Sequence, residues 1–218
     1  MGHAELINTE LIIRSHIITY GNAADEKVTD FIRKEIEDMW NEPKAIIRIR
    51  QKDYRVIFRI SAAYHPDLIP EEIFENIDPV NNYFRIEEFA MTHVSFVDGL
   101  RCNTGYFKRD NLQDGSTTAA HEYGHTLGLD HPRNLDIRGQ GKPGIMYPRG
   151  TIVDSAYQYN PAARAGDNTN GGTMNPRNRH VTANDISLIR LHRLDWKHGR
   201  ANVGDFSSIW HPDHSTLQ

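Results

Sequence analysis

Apolar positions along the chain fall into a few runs separated by polar stretches that carry glycine and proline. The first run, Leu6 to Tyr20, holds Ile12, Ile13, Ile17 and Ile18 and predicts a buried strand ending at Gly21-Asn22. From Ala23 to Trp40, the residues Val28, Phe31, Ile32, Ile36, Met39 and Trp40 recur at helical spacing. That spacing predicts an amphipathic helix of about five turns, stopped by Pro43. Ala45–Arg50 and Arg55–Ala62 are short β-branched runs, each predicting a strand. His65-Pro66 to Pro79-Val80 reads as loop with a short helix at Glu71–Asn76. Thr92–Val97 alternates and predicts a strand, and Cys102–Lys108 predicts another, with Gly99 and Gly105 allowing bends or bulges. Asp114-Gly115-Ser116 then supplies a turn and a cap, and Thr117 opens the next helix.

Past that helix the pattern loosens. Pro132–Gly144 is a polar loop, and Pro148–Asn178 is a longer excursion punctuated by Gly150, Pro161, Gly166, Gly171, Gly172 and Pro176. Long segments of this kind are functional or disordered, so Tyr147–His180 is expected to form a mobile surface loop rather than core. Asp167-Asn168-Thr169-Asn170-Gly171 reads as turn chemistry, because its oxygens do not fall at EF-hand spacing. Val181-Thr182-Ala183-Asn184-Asp185 opens a last helix, with Thr182 as N-cap and Ile186, Ile189, Leu191 and Leu194 as its packing face. Gly199–Gln218 is a polar tail with scattered apolar residues, among them Phe206, Ile209 and Trp210.

Composition narrows the class. A chain of 218 residues, 38% of them apolar, fits one domain with a real core. A net charge of −4 is too mild to argue for nucleic acid or a membrane surface, and no apolar run has the length of a transmembrane helix. Met1-Gly2-His3-Ala4-Glu5 shows no signal-peptide pattern, and Leu6 stands where myristoylation wants Ser or Thr. The one cysteine, Cys102, excludes an intramolecular disulfide.

The chemistry is concentrated in His121-Glu122-Tyr123-Gly124-His125-Thr126-Leu127-Gly128-Leu129-Asp130-His131, which reads H-E-x-x-H-x-x-G-x-x-H. Residues four apart share a helix face, so His121 and His125 can point at one ion. Glu122 sits beside the first ligand, placed to touch water at the metal without being a ligand. Gly128 can take the left-handed conformation that ends a helix and lets His131 return to the same ion. Three imidazoles leave a fourth tetrahedral position open, the pattern of a catalytic zinc. The competing reading is a chance spacing on a solvated helix, which the added glycine and third histidine oppose. His65 has no partner at ligand spacing and reads as structural.

Downstream lies Gly144-Ile145-Met146-Tyr147-Pro148. With this segment the chain resembles the metzincin metallopeptidases, in which a methionine turn follows the long zinc motif. It is most similar to the matrixins, with their H-E-[aromatic]-G-H-x-L-G-L-x-H and later [Leu/Ile]-Met-Tyr-Pro. The resemblance implies His121, His125 and His131 as zinc ligands, Glu122 as general base and Met146 as the floor beneath the metal. It also implies that Asp185 ties the last helix to the methionine turn. Met174-Asn175-Pro176 is a second, less family-like methionine turn. Arg101-Cys102-Asn103 is faintly similar to the matrixin cysteine switch but lacks the longer motif, so an ordinary cysteine is the better reading.

The expected fold is α+β and metzincin-like: a twisted mixed sheet, two long helices above a zinc cleft, and an irregular lower part with a C-terminal helix. Residues 1–198 would form the catalytic domain, divided at 131/132, with 199–218 a tail. A cleft-lining sheet edge is expected within Thr92–Phe107, where an extended peptide would add as a strand. The expected activity is zinc-dependent hydrolysis of peptide bonds in a protein or peptide substrate, with no nucleic-acid or membrane partner. Calcium and an exported location follow from the resemblance alone. Two alternatives stay open, a proteolytic effector or toxin-like domain cut from a larger polypeptide, and a zinc-holding module without turnover.

Overall fold

The run Leu6–Tyr20 contains a turn: Asn8 takes a positive φ of 53°, and the chain forms two strands rather than the single one expected. β1 (Gly2–Ile7) and β2 (Glu10–Tyr20) pair antiparallel, Ile7 opposite Glu10. Asn tolerates this left-handed turn conformation, which the isoleucine-rich flanks concealed. α1 (Glu26–Asn41) starts at Asp25, whose carboxylate accepts from the Val28 N–H at 2.6 Å. Val28, Ile32, Ile36 and Trp40 form its buried face. β3 (Ile46–Ile49) and β4 (Lys52–Tyr64) form a hairpin, and α2 (Pro70–Phe74) is a single short turn.

β5 (Asn81–Glu87) has no counterpart among the expected strands. Its opening Asn81-Asn82 carries no strand signal, although Asn82, Tyr83 and Phe84 are buried. β6 is only Phe96–Val97, and β7 is Thr104–Lys108. α3 (Thr118–Thr126) follows, then a long irregular segment, α4 (Ala183–Leu188) and β8 (Arg200–Val203). This is a computed structural model, and it describes residues 1–91, 94–113 and 115–217. Thr92 and His93 of the expected Thr92–Val97 strand, Asp114 of the expected cap, and Gln218 lie outside the described residues.

The architecture is α+β, around one mixed sheet in the order β3-β4-β2-β5-β7-β6. β2 runs parallel to β4 on one side; on its other side β1 covers the first half and β5 the second. β6 is the outer edge, antiparallel to β7. The main core lies between the sheet, α1 and α3, where Trp40, Phe58 and Tyr123 pack at centroid distances of 5.3–6.3 Å. Of the two long helices expected, α1 has 16 residues but α3 has only nine. α4 is shorter still at six, because Arg190 takes a positive φ of 58° and a 3-10 turn at Leu191–Arg193 follows. Ile186, Ile189 and Leu191 are nonetheless buried as a packing face. No helix among the described residues is long and apolar enough to cross a membrane.

Two segments differ from expectation in their packing. Tyr147–His180 is not a mere surface loop: Val153 and Met174 are fully buried and cluster with Ile137, flanked by Tyr147 and Tyr157. Backbone pairs stitch it together, Ile137 N–H to Ile152 at 2.9 Å and Met174 N–H to Thr151 at 2.9 Å among them. The three apolar residues stand far apart in sequence, so no run announced this small core. Of residues 199–218, expected as a polar tail, Arg200–Val203 form β8 beside β1, and the chain beyond it makes further contacts with the sheet. Trp210 stacks on Tyr20 at 5.1 Å, His211 pairs with Asp98 at 2.7 Å, and His214 stacks on Tyr106 at 3.7 Å.

Candidate metal centre

α3 begins at Thr117, a left-handed residue (φ 58°) whose hydroxyl is turned away to the Pro176 carbonyl at 2.8 Å. Its first-turn N–H groups are served instead by Glu35 of α1, which accepts from the Ala120 N–H at 3.2 Å and also engages Thr117 and Ala119. A carboxylate at a helix N-terminus complements the helix dipole. Burial pushes the Glu35 carboxyl up, and those N–H groups and Arg179 oppose the shift.

At its other end α3 closes in a Schellman arrangement. The Leu129 N–H reaches the Gly124 carbonyl at 3.0 Å and the Gly128 N–H the His125 carbonyl at 2.9 Å, with Gly128 at φ 96°. The reversed chain brings His131 back over the helix. His121, His125 and His131 form a group able to hold a metal, their ligand atoms all within 4.8 Å of one another.

Each helical imidazole is oriented by a backbone carbonyl. His121 Nδ1 lies 2.7 Å from the Ile145 oxygen, and His125 Nδ1 lies 2.7 Å from the Leu129 oxygen. A carbonyl only accepts, so both Nδ1 atoms carry hydrogen and both neutral rings present a lone pair at Nε2. Those lone pairs converge: His131 Nε2 is 3.0 Å from His121 Nε2 and 3.2 Å from His125 Nε2. One His131 hydrogen cannot serve both neighbours, whereas a cation at the centre satisfies all three. Bonds of 2.0–2.1 Å in a tetrahedral zinc site set its nitrogens about 3.3 Å apart, close to this spacing. The donor set therefore fits the ion. Burial holds all three imidazoles below the usual histidine range, keeping them neutral and able to ligate.

Glu122 is 7% exposed and points into the same space. Burial pushes its carboxyl up to about 8, against the pull of the Arg179 guanidinium, the Val97 N–H and Arg149. Met146 is buried against the opposite side of α3, under Gly124. Met174, the other methionine-turn candidate, belongs to the separate Ile137 cluster. Asp185 caps α4, accepting from the Thr182 N–H at 2.7 Å and from its hydroxyl at 2.6 Å. It sits against Gly144 at the start of the methionine segment.

A cavity of about 520 Å³ opens over the histidines, walled by Phe96 and Val97 of β6, Leu100, Pro148 and two arginines, Arg149 and Arg179. The sheet edge expected within Thr92–Phe107 thus lines the cleft, as β6. The tip of the excursion, residues 162–172, contributes nothing to this lining, whereas Pro148, Arg149 and Arg179 of the same segment do. A larger cleft of about 1440 Å³ reaches His131 and Met146 from the α4 side but includes neither Glu122 nor His121, whereas the smaller cavity is lined by all three histidines and Glu122. Sequence patterns gave no role to Glu35, Gly124, Thr118, Arg149 or Arg179. Arg179 lies in the polar run Asn175–His180, where nothing distinguishes a cleft residue from a solvated one.

No protein-family model and no curated protein matches this chain. Among solved structures it is similar to the crystal structure of an archaemetzincin from Methanopyrus kandleri. That similarity has a TM-score of 0.40 and 8% sequence identity, covering 82% of this chain and 95% of that one.

Proposed function

We propose that this chain is a zinc-dependent metallopeptidase of metzincin type, acting as an endopeptidase on protein or peptide substrates. One observation carries the reading: three Nε2 lone pairs converge at metal spacing with the buried carboxylate of Glu122 beside them. His121, His125 and His131 would hold the zinc. When bound, the ion supplies Lewis acidity toward the scissile carbonyl and toward water.

This chain's own residues do the rest. Glu122, whose ionised form a neighbouring cation favours, takes the proton of the attacking water and hands it to the leaving amine, a transfer worth about 10²–10⁴ in rate. β6, the outer strand of the sheet, presents its edge to an extended substrate, with the Val97 N–H on that strand engaging Glu122. Met146 keeps the ligand helix in place by packing and takes no part in the reaction. The matrixin likeness of the two sequence motifs supports an exported enzyme, including the reading as an effector domain of a larger polypeptide. A zinc-holding module without turnover is the weaker reading, because Glu122 is retained where a general base is needed.

Metal analysis combined with peptide-library cleavage tests the proposal. Near-stoichiometric zinc and endoproteolysis that disappears in Glu122→Ala are expected. A protein that stays metal-free when offered zinc would overturn it.

A further inference from the structure

The cavity beside Glu122 contains two features that the peptide-hydrolysis scheme does not use. The first is a pair of guanidinium groups. Arg179 is only 5% exposed, yet it lines the cavity together with Arg149. Its Nε–H donates to Thr117 Oγ1 at 2.8 Å, one terminal nitrogen donates to the Tyr147 carbonyl at 3.2 Å, and the other lies 3.5 Å from the Ser116 carbonyl. These contacts fix the side chain and leave hydrogens unused on both terminal nitrogens. Arg149 is held more loosely, by Asn111 Oδ1 at 3.3 Å. Among the described residues no carboxylate comes within 4.0 Å of either guanidinium. The charges of Glu122 and Glu35 act on Arg179 without a direct ion pair, which leaves room for a closer anionic partner.

The second feature is Thr118, whose hydroxyl is buried in the cavity wall without a hydrogen-bond partner among the described residues. Buried polar atoms without partners are few, and an orphan in a cleft wall marks a place for a ligand atom. Both features ask for the same thing: an anionic group with several acceptor lone pairs.

Position says which part of a substrate could bring it. Resting on the peptidase reading, Glu122 protonates the leaving amine, so the residue that owns that amine lies nearest Glu122. Arg149 and Arg179 line the same cavity as Glu122. We propose that Arg179, Arg149 and Thr118 form a carboxylate-binding pocket, selecting substrates with an acidic group on the residue just after the scissile bond. Two sources share that chemistry, an Asp or Glu side chain and the free C-terminal carboxylate of a peptide cut near its end. Arg179 supplies a fixed fork matched to the two oxygens, and Arg149 closes over it from the exposed side.

The test uses the full-length, zinc-loaded protein and matched peptides with Glu, Gln or Leu after the cleaved bond, each as free acid and C-terminal amide. Glu over Gln is expected to favour kcat/KM by at least about tenfold, as a charge-assisted hydrogen bond implies. If the terminal carboxylate is the ligand, the discrimination follows acid over amide instead. Arg149→Gln should remove most of the preference with the fold intact, and Arg179→Lys should blunt it. Binding of the same peptides to zinc-loaded Glu122→Ala, measured by calorimetry, reads the pocket without turnover. Discrimination in binding without cleavage by the wild type would support the pocket while sinking the peptidase reading. Cleavage and binding indifferent to every carboxylate would overturn the pocket and leave the peptidase reading standing.

Discussion

Gly124 lies directly against Met146: a Cβ built on Gly124 would run into the methionine sulfur and come within 3.2 Å of Trp40. The glycine between the two helical histidines is therefore a packing requirement. The ligand helix can sit on the methionine only because one of its residues has no side chain. Met146 and Trp40 are both buried, so the methionine sulfur can yield only by repacking its neighbours. Gly124→Ala should cost about 1–3 kcal/mol through overpacking, even though alanine favours helix elsewhere. A lowered melting temperature with reduced zinc affinity is expected; an unchanged or raised one would contradict the contact.

Removing the ion should loosen the same region. With zinc at about a thousand times its Kd, binding adds roughly 4 kcal/mol of stability, so chelation should lower Tm and zinc addition should restore it. His125→Ala should abolish that response. The same Tm with and without chelator in the wild type would count against a zinc site.

Glu122→Ala separates holding the ion from using it. Its carboxyl meets the Val97 N–H of β6, and it is not among the three histidines able to hold a metal. Zinc content should stay near wild type while peptide cleavage falls by at least about a hundredfold. Comparable turnover in the variant would show that another group takes the proton.

The candidate site was legible in the sequence because its information is local. His121, Glu122, His125, Gly128 and His131 fall on one helix and its turn, and their spacing alone brings them together. Arg179 and Glu35 were not legible, because each reaches the centre across a long sequence separation, from a polar run and from the rim of α1. The fold divides in the same way. The periodic α1 was predictable to within a few residues at each end. β5 was hidden by its leading asparagines, whose burial depends on tertiary neighbours. The Ile137–Val153–Met174 cluster was hidden because single apolar residues carry no period.

The C-terminal segment should behave as part of the domain. Trp210 stacks on Tyr20, and Arg85 sits 5.6 Å from the Trp210 ring while pairing with the fully buried Glu87 at 2.6 Å. Trp210→Ala removes the stack and one side of this cation, at a cost of about 1–2 kcal/mol. A Tm drop of several degrees should appear in thermal melts, with zinc content unchanged. A variant as stable as wild type would mean that 199–218 merely rests on the surface.

The excursion gives the last prediction. Its tip is closed at the base by the Asn160 N–H bonding the Gly171 carbonyl at 3.0 Å, and inside by the Gly166 N–H on Gly172 at 2.8 Å. The cluster that anchors the segment, Val153 and Met174 with Ile137, lies outside residues 162–170. So do Pro148, Arg149 and Arg179, the members of this segment that wall the cavity. Replacing 162–170 with a short glycine linker should therefore leave fold, zinc content and cleavage preference as they were. The loss should be modest, about 1 kcal/mol or less, since Gln158 gives up its bond to the Ala163 carbonyl. Library profiling of the shortened protein decides the point. A changed residue preference after the cleaved bond would mean that the tip reaches the substrate, and that specificity is not confined to the wall built by Pro148, Arg149 and Arg179.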